Sequence, residues 1–265
     1  MKIGVIGVGA IGTVLAKALE NIEEIEEIWL FDRKIGKAAK VAKKLSKALV
    51  ASSAKELIEN VELVVESASQ QAVREYSYQI LSAGKDLLIM SVGAFVDSAL
   101  RAELERVATQ KSRKIYLPSG AVLGIDGIKA AKLAKVDEVT LTTIKSPRAF
   151  EGNKYLKAKN IDVKKTRVLF MGSAEQAVKY FPENINVASC LALAGIGSEK
   201  TKVKIIADPK IKENIHRINV RGAFGEFKIE AKNVVCPDNP KTSYLAALSA
   251  IATIKKILEP FQIGT

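Results

Sequence analysis

Histidine is nearly absent from this 265-residue chain: there is one, His216, beside two cysteines (Cys190 and Cys236) and a single tryptophan. One histidine cannot make a histidine-based metal centre, and two distant cysteines do not repair the deficit, so no metal is expected. Two cysteines without framework spacing do not build a disulfide scaffold, and a reducing cytoplasm is the expected home. No apolar run reaches about 18 residues, which removes a membrane helix. The apolar start, Met1–Leu15, lacks a basic flank and a small-residue cleavage site, so it reads as a first strand and turn rather than a signal peptide. Aromatic residues make up only 6% and are not interleaved with the basic ones, so the net charge of +12 does not describe a nucleic-acid surface. The lysines spread along amphipathic segments such as Lys34–Lys47, as on a solvated surface whose positive field gathers small anions. Much Lys, Glu and Ile with little His would also suit a thermophile.

What remains is an ordinary globular composition, 48% hydrophobic and 26% charged, long enough for one large domain or two modest ones. Up to Pro118 strands alternate with helices. Strand candidates end near Gly7, cover Glu27–Asp32 and Val61–Glu66, and recur at Asp86–Ser91 and Lys114–Leu117. Helices are expected over Ala10–Glu20, Lys34–Lys47, from a Ser53/Glu56 capping box to Asn60, over Gln70–Ser82 and over Asp97–Thr109. This rhythm predicts an α/β fold: a Rossmann, doubly wound parallel sheet over residues 1–119. After Pro118-Ser119-Gly120 the rhythm changes. Strands at Val139–Lys145, Arg167–Met171, Lys202–Ala207, His216–Val220 and Glu226–Ala231, with helices at Ala174–Tyr180 and Asn186–Leu193, predict a second α+β domain of mixed sheet over 120–239. A last apolar helix, Lys241–Leu258, is expected to pack back on the first domain as part of segment 240–265.

The first strand runs into Gly7-Val8-Gly9-Ala10-Ile11-Gly12 and then a helix. In a G-x-G-x-x-G the first glycine permits the tight turn, the second lets backbone approach a pyrophosphate, and the third allows close helix–strand packing. The anion then rests on the free N–H groups that open the helix, here at Ala10 and Ile11. The pattern alone is weak, but Asp32 stands twenty residues beyond Gly12 at the end of the second strand. An acid there accepts from the adenosine ribose hydroxyls, which points to NAD. Arg33 beside it could meet a 2′-phosphate, so NADP is accommodated as well. In an open α/β sheet the ligand lies beyond the carboxyl ends of the strands, which nominates Ala68-Ser69 and Ser91-Val92 as further cofactor-binding residues. His216 is the cheapest general acid–base in the chain, its side chain being the one that titrates near neutrality. Read by itself it is as well explained by packing.

Four segments add a resemblance. They are Glu66-Ser67-Ala68-Ser69-Gln70-Gln71-Ala72-Val73, Pro118-Ser119-Gly120-Ala121 with Gly124-Ile125-Asp126, Phe181-Pro182-Glu183-Asn184-Ile185-Asn186-Val187-Ala188, and Asn239-Pro240-Lys241-Thr242-Ser243 with Leu245-Ala246-Ala247-Leu248. In order and spacing they resemble those of the L-aspartate dehydrogenases, across essentially the whole chain. Val122-Leu123 departs from the family's more usual Ile-Gly after PSGA. The resemblance implies NAD(P)-dependent oxidation of L-aspartate to iminoaspartate, which hydrolyses to oxaloacetate and ammonia. It implies His216 as the catalytic histidine and Ala121 and Asn186 as cofactor-binding residues near the nicotinamide. It also implies a homodimer and a link to quinolinate synthase in pyridine-nucleotide biosynthesis. For the two substrate carboxylates, the expected start of the last helix at Lys241-Thr242-Ser243 offers N–H groups, and Lys129, Arg217 and Arg221 offer charge. Competing expectations are a homoserine dehydrogenase-like or dihydrodipicolinate reductase-like enzyme, or a non-catalytic NAD sensor.

Overall fold

A computed structural model describes residues 1–182, 185–236 and 239–264, with Pro240 and Lys241 described through their backbone alone. The described chain divides into two compact units, Met1–Pro118 with Ala247–Gln262, and Ser119–Ala246 with the last residues.

The first unit is a parallel six-stranded sheet. Its strands are β1 (Lys2–Ile6), β2 (Glu27–Phe31), β3 (Ala48–Val50), β4 (Leu63–Glu66), β5 (Asp86–Ile89) and β6 (Ile115–Tyr116), in the spatial order β3-β2-β1-β4-β5-β6. The order reverses between β1 and β4, the switch point at which doubly wound sheets bind ligands. The helices are α1 (Ala10–Leu19), α2 (Ile35–Ala42), α3 (Ala54–Asn60), α4 (Gln70–Ser82) and α5 (Ser98–Gln110). β4 is buried along its whole length, as a continuous apolar run in a parallel sheet must be. Three helices start on side-chain caps: Ser53, Ser69 and Asp97 each accept from a backbone N–H three residues on. The capping box expected at Ser53 is only half formed, because the Glu56 carboxylate reaches back to the N–H and hydroxyl of Ser52 instead. The long helix expected over Lys34–Lys47 stops at Ala42. A three-residue strand, β3, follows it and takes the sheet edge beside β2.

The second unit holds α6 (Ile125–Ala131), β7 (Val136–Lys145), α7 (Lys154–Ala158), β8 (Arg167–Ser173), α8 (Ala174–Tyr180), α9 (Asn186–Ala194), β9 (Lys202–Ala207), β10 (Asn214–Gly222) and β11 (Gly225–Asn233). Its sheet is mixed, ordered β11-β10-β7-β9-β8, with β7 and β9 parallel and the other pairs antiparallel. Val139, Leu141, Val203, Ile205, Ile218 and Val220 line one face of it, in one core with Leu191 of α9 and an edge-on cluster of Phe150, Phe170 and Phe181.

The chain end corrects one expectation. Lys241-Thr242-Ser243 do not open the last helix. They belong to β13 (Asn239–Ser243), which pairs antiparallel with β12 (Val235–Cys236), and the helix runs Tyr244–Leu258. Val235–Cys236 supply a partner strand that local sequence does not announce, and the Tyr244 N–H bonds back to the Val234 carbonyl. The N–H groups that open that helix therefore lie beyond the lysine, threonine and serine expected to offer them.

Candidate active site

In the first unit the glycine turn is forced by sterics. Gly7 sits at φ +93°, and a Cβ there would lie 2.5 Å from the Cβ of Ala68. A Cβ on Gly12 would lie 2.0 Å from the Gly7 carbonyl oxygen, so no other residue lets α1 approach β1 this closely. A Cβ on Gly9 would meet nothing within 4 Å. The backbone there is open to an approaching group, directly before the N–H groups of Ala10 and Ile11 that begin α1. Asp32 turns into the same region: its carboxylate accepts from the Val8 N–H at 3.0 Å and the Lys34 N–H at 2.9 Å. A carboxylate has about four acceptor positions, so two remain for ribose hydroxyls. A cleft of about 200 Å³ is lined by Gly7, Gly9, Asp32, Arg33, Ala68 and Ser69, and also by Lys37 and Tyr76. These residues fit a dinucleotide's pyrophosphate and adenosine. Burial, followed by a hydrogen bond to Glu75, pushes the Tyr76 phenol up to about 12, so it stays neutral. Lys37 and Tyr76 carry no local signal, since only the tertiary packing of α2 and α4 turns them into the cleft.

Ser91 and Val92 do not line that cleft; both are buried. What joins them to Ala68 and Ser69 is Glu66, at the end of β4. One carboxylate oxygen accepts from the N–H groups of Ala68 and Ser69, both at 2.8 Å, and from the Ser91 hydroxyl at 3.0 Å. The other accepts from the Ser91 N–H at 3.0 Å. Burial pushes the carboxyl above its usual range while these donors pull it back. Three of the four are backbone N–H groups that can only donate, so the arrangement suits the ionised form. A single carboxylate thus ties the loops after β4 and β5 together. In the sequence Glu66 is visible only as a strand's last residue.

In the second unit the inner face of the sheet changes character at one end. Alternate residues of a strand share a face, and register aligns them across strands. Val139 pairs with Val220 and that with Phe227; Leu141 pairs with Ile218 and that with Ile229. One step on, Thr143 stands opposite His216, and His216 opposite Ala231. At the next step come Lys145 on β7, beside Ala207 of β9, and Asn214 of β10 opposite Asn233 of β11. Three neighbouring strands switch from apolar to polar within two steps, β11 one step after the others, and every polar side chain there is buried. Asn214 donates to the Ser243 hydroxyl at 3.2 Å, and Asn233 donates to the carbonyl of Ala121 at 2.9 Å. Among the described side chains of the residues expected at the substrate, Ser243 alone is thereby joined to the patch that holds His216. Thr242 instead accepts from Asn239, and the Lys241 side chain lies outside the described residues. Lys129, Arg217 and Arg221 are exposed, the last two paired with Glu230 and Glu138. Asn186 is exposed at the first turn of α9; Glu183 and Asn184 of the same sequence block lie outside the described residues.

His216 is 1% exposed, and its Nδ1 lies 3.0 Å from the Thr143 hydroxyl. Burial first, and then the positive charge of Lys145, pull its pKa down to about 3. The near-neutral imidazole expected from its residue type is therefore corrected: in the resting protein the ring is uncharged at neutral pH, the form that can accept a proton. Lys145 is itself pulled down to about 8 by burial.

Residues 126–257 match the family model described as the C-terminal domain of aspartate dehydrogenase, and residues 7–118 match the NAD-binding domain of homoserine dehydrogenase. The chain is 48% identical over 270 residues to an L-aspartate dehydrogenase of Methanosarcina barkeri and 49% identical over 270 residues to one of Methanosarcina mazei. In both comparisons each protein is covered completely. Among solved structures, aspartate dehydrogenase from Thermotoga maritima superposes with a TM-score of 0.78 at 32% identity, over 100% of this chain and 99% of that one.

Proposed function

This chain belongs to the L-aspartate dehydrogenase family, and from that premise we propose that it oxidises the α-amine of L-aspartate, using NAD and tolerating NADP. The observation that carries the reading is the chain's one histidine, buried on the polar end of a sheet face in the half that matches the family's C-terminal domain. When bound, the dinucleotide accepts the hydride that leaves the substrate α-carbon. The N–H groups opening α1 hold its pyrophosphate and Asp32 its ribose. Arg33 and Lys37 supply the positive charge that a 2′-phosphate needs, which supports tolerance of NADP.

An amine gives up hydride from its α-carbon only after losing its extra proton. His216 takes that proton on Nε2 while Nδ1–H donates to the Thr143 hydroxyl. Hydride loss from the neutral amine leaves protonated iminoaspartate. His216 releases the proton it took to solvent. The neutral imidazole then accepts a proton from the water that adds to the imine carbon and returns it to the nitrogen. That nitrogen leaves as ammonia while the new hydroxyl gives up its proton, and oxaloacetate forms. Ala121 and Asn186 serve the nicotinamide end of the cofactor, a reading that rests on the family resemblance. So do the homodimer, the cytoplasmic location and the supply of iminoaspartate to a quinolinate-forming enzyme. A spectrophotometric assay with L-aspartate and NAD tests the activity. NADH formation is expected; none with either cofactor, from protein that binds NAD, overturns the reading.

A further inference from the structure

Resting on the dinucleotide part of that reading, we propose that Glu75 reads the base of the cofactor, its carboxylate accepting from the exocyclic amine of adenine in the cleft of the first unit. The other parts of the dinucleotide are accounted for first. The open backbone at Gly9 and the N–H groups that begin α1 take the pyrophosphate, and Asp32 takes the ribose. What is left of the lining is Phe31, Ala72 and Tyr76, which are apolar or aromatic, and Arg33, Lys37 and Glu75, which are charged. Glu75 and Tyr76 stand three and four residues after Ala72 on α4, so one face of that helix brings all three to the cleft. The Tyr76 ring is set edge-on to Phe31, with centroids 6.3 Å apart and planes at 89°. A fixed aromatic ring beside an alanine is the kind of surface on which a purine rests.

Glu75 is the odd member of that surface. Arg33 and Lys37 suit a ligand that carries phosphates, whereas a carboxylate in the same cleft repels it unless the ligand offers a donor in return. Among the described residues two acids line the cleft, and ribose hydroxyls answer the first of them, Asp32. The neutral Tyr76 phenol donates to Glu75 and steadies the carboxylate where it lines the cleft. That hydroxyl fills one of about four acceptor positions. Beyond the ribose hydroxyls, the donor that a dinucleotide carries at this end is the amine on C6 of adenine. Hypoxanthine and guanine have a carbonyl oxygen there, which would set oxygen against oxygen. The acid that is a liability towards phosphate thus selects the base.

Calorimetric titration with NAD and with nicotinamide hypoxanthine dinucleotide, in which a carbonyl replaces the amine, tests this without aspartate. The native protein should bind NAD about tenfold more tightly, the usual worth of a hydrogen bond to a charged group. Glu75→Ala should bring the two dinucleotides within about twofold of each other. Comparing the ratio cancels the gain that both make when a negative charge leaves the cleft. Glu75→Gln, whose amide can accept from an amine or donate to a carbonyl, should bring them within about threefold. Glu75 is exposed on its helix, so both variants should keep the native melting temperature. Equal native affinity for the two dinucleotides would overturn the proposal, and so would a tenfold preference that survives Glu75→Ala. A native protein that binds neither would sink the dinucleotide site with it. Failure to oxidise aspartate by a protein that shows the preference and loses it in Glu75→Ala would sink the proposed activity and leave the base reading standing.

Discussion

The two units each bury ionisable groups, and they do so in opposite ways. Glu66 is met by four donors from its own scaffold, three of them backbone N–H groups. Its charge is satisfied within the fold, and what it accomplishes is architectural: two loops at the sheet's switch point are held by one side chain. His216 is steadied by a neutral hydroxyl and faces the positive charge of Lys145. A charge satisfied by its own fold marks a support. A base whose pKa is shifted by burial and a neighbouring cation marks a candidate for chemistry.

Breaking the second site should have the largest effect. His216→Ala is expected to lower kcat for aspartate oxidation by about two to four orders of magnitude, the usual worth of a positioned proton-transfer group, while NAD binding stays intact. A folded variant that keeps half of the native kcat would reduce His216 to a packing residue. Breaking the first site should show in stability. Glu66→Gln sets an NH2 group against backbone donors and leaves buried N–H groups unpaired, at a cost of about 3 kcal/mol in urea unfolding. A cost below about 1 kcal/mol would mean that the two loops hold without the carboxylate.

The contrast sharpens further with pH. The depressed pKa of His216 means that the unfolded chain takes up a proton below about 6.5 which the folded one refuses until about 3. Stability is therefore lost as pH falls through that window, by at most about 1.4 kcal/mol per pH unit. At pH 5 this amounts to about 2 kcal/mol, and His216→Gln should remove it. Parallel acid unfolding of the native and variant proteins would contradict the burial argument. The smallest expected effect is at the adenosine end. Asp32→Ala should weaken NAD about tenfold more than NADP, because only NAD offers its 2′-hydroxyl to the carboxylate; equal weakening measured by titration would count against that assignment.

How much of this was legible beforehand differs along the chain. Gly7, Gly9, Gly12 and Asp32 could be read from spacing because each answers a local demand: a turn at positive φ, an open backbone, a close helix, an acid at a strand end. Lys37 and Tyr76 reach the same cleft from two different helices, and no local pattern marks them. Lys241–Ser243 lie in a strand where the sequence suggests a helix, because the pairing with Val235–Cys236 that makes them one has no local signature. Lys145 drew no notice among so many lysines, since the strand that contains it reads as ordinary alternation.

By itself the sequence determined the class of the fold, the dinucleotide turn and the identity of the one histidine, because these follow from periodicity, steric demand and side-chain chemistry within short stretches of chain. Only the tertiary structure decided what surrounds that histidine. The register of β7, β10 and β11 brings Thr143, Lys145, Asn214 and Asn233 to one end of the sheet face from distant parts of the chain. Burial there, together with the lysine's charge, moves the imidazole from about 6.5 to about 3. A pKa is set by what lies within a few ångströms in space, and strand pairing, not residue type, chooses those neighbours.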